Sequence, residues 1–210
     1  MSESKIIIAT NNSGKLLEYK NAFSSFNFNV VGLSDLNLNL DPPLESGDTF
    51  LENAEIKAKY YSIHLNEIVI ADDSGLVVDS LNGEPGVYSA RYAGDHDDEA
   101  NNEKLLLKLQ NKSDRSAHFV TNIVAIKPTG EKMVVTGRLN GEILKKKRGI
   151  NGFGYDPLFY VPQKDKTLAE MTISEKNSIS HRGIAFKKLM NDFYEWIWIN
   201  LKENCIICQD

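Results

Sequence analysis

The sequence predicts an α/β fold: a mixed, partly antiparallel sheet with helices on its faces, arranged in two lobes. Three observations carry that reading. Short β-branched runs alternate with amphipathic stretches through the first half of the chain. A β-rich stretch from Ala117 to Leu139 is broken only by the turn Pro128-Thr129-Gly130. A long amphipathic helix closes the sequence.

Taken in order, Ile6 to Ala9 is a buried strand, since a short β-branched run bounded by polar residues suits one. It breaks at Thr10-Asn11-Asn12-Ser13-Gly14-Lys15, and Leu16, Leu17, Tyr19 and Phe23 then recur at helical spacing. Phe28 to Leu33 is a second strand. Thr49 to about Leu65 is a helix, opened by the capping box Thr49/Glu52. Ile68 to Ala71 is a third strand, resumed by Leu76 to Val78 after a polar interruption. Asp97 or Asp98 caps a helix carrying Leu105 to Leu107 and Leu109. Ala117 to Ile126 and Met133 to Leu139 pair as strands, and Leu158 to Val161 is another. The last helix runs from about Ser180 to Leu201, with Ile184, Leu189, Phe193 and Ile197 as its inner stripe. No repeat or linker divides residues 1–203, which read as one two-lobed domain; residues 204–210 read as a tail. Cys205 and Cys208 in that tail have no further ligands nearby for a zinc site, and no strand-to-helix setting for a redox pair.

The chain of 210 residues buries a core without staples. An apolar share of 41% with 25% charged residues excludes disorder and coiled coil. No apolar run exceeds four residues, far short of a membrane span or the core of a secretory leader, so the expected address is the cytoplasm. The net charge of −5 argues against a nucleic-acid partner, since duplex binders show a basic face. The run Lys145-Lys146-Lys147-Arg148 is either a solvated loop or a patch that steers a small polyanion.

Four polar interruptions carry the chemistry. Thr10 to Lys15, between a strand and a helix, joins helix-terminal amides to a Gly and a Lys. That suits a phosphate cradle or an ordinary capped turn, and it is not a P-loop, because Ala9 and Leu16 stand where that motif needs Gly and Ser or Thr. Asp72-Asp73-Ser74-Gly75 places adjacent acids on a strand, so their side chains point to opposite faces and do different work. One acid is suited to bind Mg²⁺ or activate water. Flanked by apolar runs, both need cations or hydrogen bonds to offset burial. In Gly149 to Asp156, glycines admit close backbone approach, and Phe153 and Tyr155 either offer ring faces to a base or fill the core. In Ser174 to Gly183, Ser180 caps the last helix and leaves His181 and Arg182 in its first turn. The helix dipole disfavours cations there, so an anion or a carbonyl oxygen is the natural partner, with Lys176 one turn upstream. The set fits a nucleoside triphosphate.

In order along the chain, T-N-N-S-G-K, A-D-D-S-G-L, P-G-V-Y-S-A-R-Y-A-G, G-F-G-Y-D-P-L-F and S-I-S-H-R-G resemble the signature blocks of the inosine triphosphate pyrophosphatase family, over about Lys5 to Asn200. The resemblance implies an elongated mixed sheet, two lobes around a central nucleotide cleft, and a homodimer. It implies Mg²⁺-dependent hydrolysis of ITP, dITP and XTP to monophosphate and pyrophosphate. Carried over position by position, Thr10, Asn11, Asn12, Ser13, Gly14 and Lys15 resemble the triphosphate holders, with Lys15 the principal cation. Asp73 resembles the general base and metal residue, Asp72 and Glu45 its acidic support for the metal, and Ser74 a substrate contact. Phe153, Gly154, Tyr155, Asp156, Lys176, His181 and Arg182 resemble the base and phosphate pocket. Selectivity then comes from donors aimed at a purine 6-oxo group. Two rivals are a relative of the same fold specific for pyrimidine or modified nucleotides, and a catalytically silent nucleotide-binding regulator, which would have lost Asp73 or Lys15.

Overall fold

The computed structural model describes residues 4–24, 28–36, 38–95 and 97–203; the tail with Cys205 and Cys208 lies outside them. Twelve elements follow in order: β1 Ser4–Ile8, α1 Ser13–Ala22, β2 Phe28–Gly32, α2 Phe50–Leu65, β3 Ile68–Val78, α3 Asp98–Lys108, β4 Ser116–Ile126, β5 Lys132–Ile143, β6 Phe159–Val161, β7 Lys166–Thr167, α4 Ile173–Ile179 and α5 His181–Glu203, with short 3-10 turns between several of them. The seven strands form one mixed sheet in the order β2-β1-β3-β4-β5-β6-β7. β1 runs parallel to β2 and β3, which requires crossovers, and α1 and α2 supply them. From β3 onward every pairing is antiparallel.

The continuous apolar run of β1 is explained by burial on both faces. Ile6, Ile8 and Ile70 pack with Tyr19 of α1, with Phe23 just past its end, and with Leu189 and Phe193 of α5. Ile7, Ala9 and Val69 face the other way, onto Ala54 and Ala58 of α2. A third cluster, with Leu76, Val78, Leu105, Leu109, Phe119 and Phe159, fills the far part of the sheet. β3 therefore begins in two cores and ends in another, and Asp72, Asp73, Ser74 and Gly75 lie between them.

Four sequence expectations change here. β3 is one uninterrupted strand of 11 residues, because Asp72, Asp73, Ser74 and Gly75 stay in register with Ile123, Asn122, Thr121 and Val120 of β4. Ladder bonds are made by backbone, so polar side chains do not break them. β5 extends to Ile143. The stretch entering the last helix is itself helical as α4, opened by the capping box Thr172/Glu175 and closed at Ser180. The inner line of α5 is Ala185, Leu189, Phe193, Trp196 and Ile197, with Ile184 only half-buried. Gly137 on β5 sets that register: a Cβ there would collide with the His181 carbonyl and approach Ala185, so α5 rests directly on the strand backbone.

Candidate active site

The turn after β1 is built on local caps. Asn12 Oδ1 accepts the Lys15 N–H at 3.0 Å, and the Asn12 N–H donates to Thr10 Oγ1 at 3.1 Å. Ser13 and Gly14 open α1, so the helix N-terminus and Lys15 leave the turn together. Lys15 Nζ donates to Asp72 Oδ2 at 2.6 Å, within a pocket of about 210 Å³ lined by Thr10, Asn11, Lys15, Glu45, Lys57 and Asp72.

Asp72 and Asp73 do face opposite sides of the sheet, as strand period demands. Asp72 is buried beside α1 and α5. Burial pushes its carboxyl up, but Lys15 and Arg182 outweigh that and hold it below the ordinary carboxylate range. The neighbouring Tyr19 hydroxyl is kept protonated by burial and by the Asp72 charge. Asp73 turns toward α2, where its Oδ1 lies 4.0 Å from Lys57 Nζ and accepts the Ser74 N–H at 3.0 Å. Lys57 also donates to Glu45 Oε2 at 3.0 Å. Burial raises the Asp73 carboxyl; Lys57 pulls it down and Glu45 pushes it up, with a net shift upward.

Among the described residues no three His, Cys, Asp or Glu side chains form a closed metal cage. Mg²⁺ does not need one, because it keeps several waters and takes one or two carboxylates plus substrate phosphates. Glu45 and Asp73 fit that pattern: both address the single Lys57 ammonium, so two carboxylates already converge on one cation position. Asp72 lines the same pocket as Glu45 and Lys57, and its carboxylate closes on Lys15 as that cation's counter-ion.

The glycine-rich loop separates its two aromatics. The Phe153 ring is 61% exposed, with Lys176 Nζ 4.7 Å and the Arg182 guanidinium 6.0 Å from its centroid. Tyr155 is buried in the third core cluster and its hydroxyl donates to the Ser89 carbonyl at 2.9 Å, which leaves no ring face for a base. Asp156 is also buried. It accepts the Phe153 N–H at 2.9 Å and pairs with Lys176, so it pins the loop from within. Gly152 has φ +80°, and a Cβ there would strike the Asp156 carboxylate.

Ser180 Oγ accepts the Gly183 N–H at 3.1 Å and caps α5. His181 is buried with its ring stacked on Phe119, centroids 4.8 Å apart and planes 12° apart. His181 Nδ1 and Arg182 Nε are buried without a hydrogen-bond partner in the protein. Arg182 Nη1 reaches Glu18 at 3.5 Å. Burial, with Arg182, Lys176 and Lys15 adding to it, holds the His181 ring well below its ordinary value of 6.5, so the imidazole is neutral. A histidine kept neutral when folded favours unfolding once the unfolded ring protonates, so this contribution to stability is lost as pH falls below 6.5. Melting temperature is expected to drop between about pH 7 and about pH 5.5, and His181→Gln to flatten that slope; an identical slope in the variant would remove His181 as its source.

The fold thus gathers Lys15, Asp72 and Arg182 with Lys176 and Phe153 nearby, and brings Glu45 and Lys57 into the pocket of Lys15 and Asp72, with Asp73 beside Lys57. Lys57, Tyr19 and Phe119 join the site without any motif to announce them. Of the basic run, Lys147 pairs with Glu99 and Arg148 with Glu170, while Lys145 and Lys146 are exposed.

Comparison with known proteins gives one consistent answer. The family model described as the Ham1 family matches residues 6–192. A dITP/XTP pyrophosphatase of Lactiplantibacillus plantarum is 50% identical over 91% of this chain and 95% of its own length. One of Clostridium perfringens is 50% identical over 90% and 96%. The solved structure of the Staphylococcus aureus Ham1 protein superposes with a TM-score of 0.86 at 48% identity, covering 92% of this chain and all of that one.

Proposed function

This chain belongs to the Ham1 family, and we propose that its cleft hydrolyses non-standard purine nucleoside triphosphates, namely ITP, dITP and XTP, to the monophosphate and pyrophosphate. The protein is a nucleoside-triphosphate pyrophosphatase. The observation that carries the site reading is the position of Arg182, which lies against the exposed Phe153 ring and also acts on Asp72, the partner of Lys15. A base platform and a cation-lined phosphate cradle are therefore contiguous.

The triphosphate lies along Thr10 to Lys15, with Lys15 and Lys176 as its cations. Asp73 takes the proton from a water that attacks the α-phosphorus. The α–β bridging P–O bond breaks, and its electron pair leaves with pyrophosphate. Asp73 and Glu45 are the residues that would hold Mg²⁺, which when bound would neutralise phosphate charge and favour the departing group. Ser74, next in β3, contacts the substrate. The purine stacks on Phe153, and its 6-oxo group accepts from Arg182 and His181. An adenine 6-amino group leaves the Arg182 donor unpaired, and buried unpaired groups discriminate strongly.

Incubation with ITP and Mg²⁺ is expected to release pyrophosphate, with ITP, dITP and XTP far ahead of ATP, GTP and dUTP. Orthophosphate as the first product would mean attack at the γ-phosphorus and overturn the mechanism, and preference for a pyrimidine would overturn the substrate class. We also read the enzyme as a cytoplasmic homodimer acting as one two-lobed domain, on the strength of the family. Among the described residues no helix is long and apolar enough to cross a membrane. A monomer mass by light scattering would refute the dimer.

A further inference from the structure

The exposed Phe153 side chain stands on a backbone that is fixed from both sides, and one of those sides belongs to a distant helix. Before it, the Phe153 N–H is held by Asp156. After it, Gly154 sits at φ +60° with both backbone polar groups bound to α3. The Gly154 N–H donates to Asp98 Oδ2 at 2.6 Å, and the Gly154 carbonyl accepts from Asn102 Nδ2 at 2.8 Å. Asn102 is itself buried and oriented by a second bond, from Nδ2 to the Asp98 carbonyl at 2.7 Å. These two side chains lie one helical turn apart, so they present an acceptor and a donor to one peptide unit. A glycine with positive φ between two aromatics is otherwise free to swing, because it lacks the Cβ that restricts other residues.

We propose that Asp98 and Asn102 are positioning residues for base recognition: by clamping Gly154 they hold the Phe153 ring where a purine stacks on it. The inference rests on the nucleotide reading above and extends it to a helix that supplies no group to the phosphates. Asp98 is exposed and is not the cap of α3, since Asp97 Oδ1 accepts the Ala100 N–H at 3.0 Å. Asp98→Ala therefore leaves the helix start intact while freeing the Gly154 N–H. Asn102→Asp keeps the shape but turns its donor into a charge facing two carbonyls.

The test compares KM and kcat for ITP with inhibition by inorganic tripolyphosphate, a probe without a base, at constant free Mg²⁺. Both variants are expected to raise KM for ITP about tenfold, within the range that stacking of one base supplies, with kcat changed far less. The inhibition constant of tripolyphosphate stays at the wild-type value, and Asp98→Asn, which retains an acceptor toward Gly154, recovers most of the ITP affinity. A purely structural defect would weaken ITP and tripolyphosphate together, and that result overturns the proposal. So does a wild-type KM in Asp98→Ala, whose exposed position makes it the variant that folds even if Asn102→Asp does not. Wild-type protein inhibited by tripolyphosphate yet indifferent to ITP would overturn the nucleotide reading itself, and with it the clamp.

Discussion

Asp73→Asn is expected to lower turnover of ITP about a thousandfold, the scale on which a positioned general base contributes, while nucleotide binding survives. The reason is what Asp73 touches. Lys15, Arg182, Lys176 and Phe153 make their contacts with groups other than Asp73 and keep those partners when Asp73 is neutralised. Lys57 keeps Glu45 at 3.0 Å, so no cation is stranded. The substitution is also expected to leave the melting temperature unchanged or higher. Burial already disfavours the Asp73 charge, as its raised carboxyl records, and an amide of the same shape still accepts the Ser74 N–H. Single-turnover kinetics with ITP, read beside binding under non-turnover conditions and a thermal melt, tests all three. Wild-type turnover would remove Asp73 from the mechanism, and joint loss of binding and turnover would make it a binding residue.

Much of this arrangement was legible because backbone periodicity fixes it. Two adjacent acids on a strand must diverge, and they do. Which helix each acid meets was not legible, since Lys15 lies 57 residues from Asp72 and no local pattern ties Lys57 to Glu45 and Asp73. The two aromatics of the glycine-rich loop carry the same signal in sequence. Only packing separates them, with Tyr155 tied to Ser89 and Phe153 left exposed beside Lys176 and Arg182. One further element had a readable sign: Thr172 and Glu175 repeat the capping-box spacing that locates α2, and they open the short α4. The inward line of α5 passes through Ala185 rather than Ile184, although Ile184 is the larger apolar residue. A close approach to Gly137 rewards the small side chain, and helical periodicity alone does not carry that information.

Asp72→Asn, one residue away, is expected to do the opposite of Asp73→Asn and chiefly to destabilise the fold. Asp72 is buried, it receives Lys15 at 2.6 Å, and Arg182 acts on it from α5, so its charge ties α1 and α5 to β3. Removing one member of a buried ion pair costs about 3–5 kcal/mol, because the remaining charge is left without its counter-ion. For a domain of this length that corresponds to a fall in melting temperature of roughly 10 °C. The lowered Asp72 carboxyl has the same sign: its contribution is present above 3.8 and is lost as pH falls through the depressed value. The stranded cations in the variant are the groups proposed to receive the triphosphate, so an added polyanion replaces the missing charge. Tripolyphosphate is therefore expected to raise the melting temperature of Asp72→Asn more than that of the wild type, and the gap between the two proteins narrows as it is titrated in. A variant as stable as wild type would show that the ion pair contributes nothing. A destabilised variant whose gap stays constant under tripolyphosphate would separate Lys15 and Arg182 from the phosphate site.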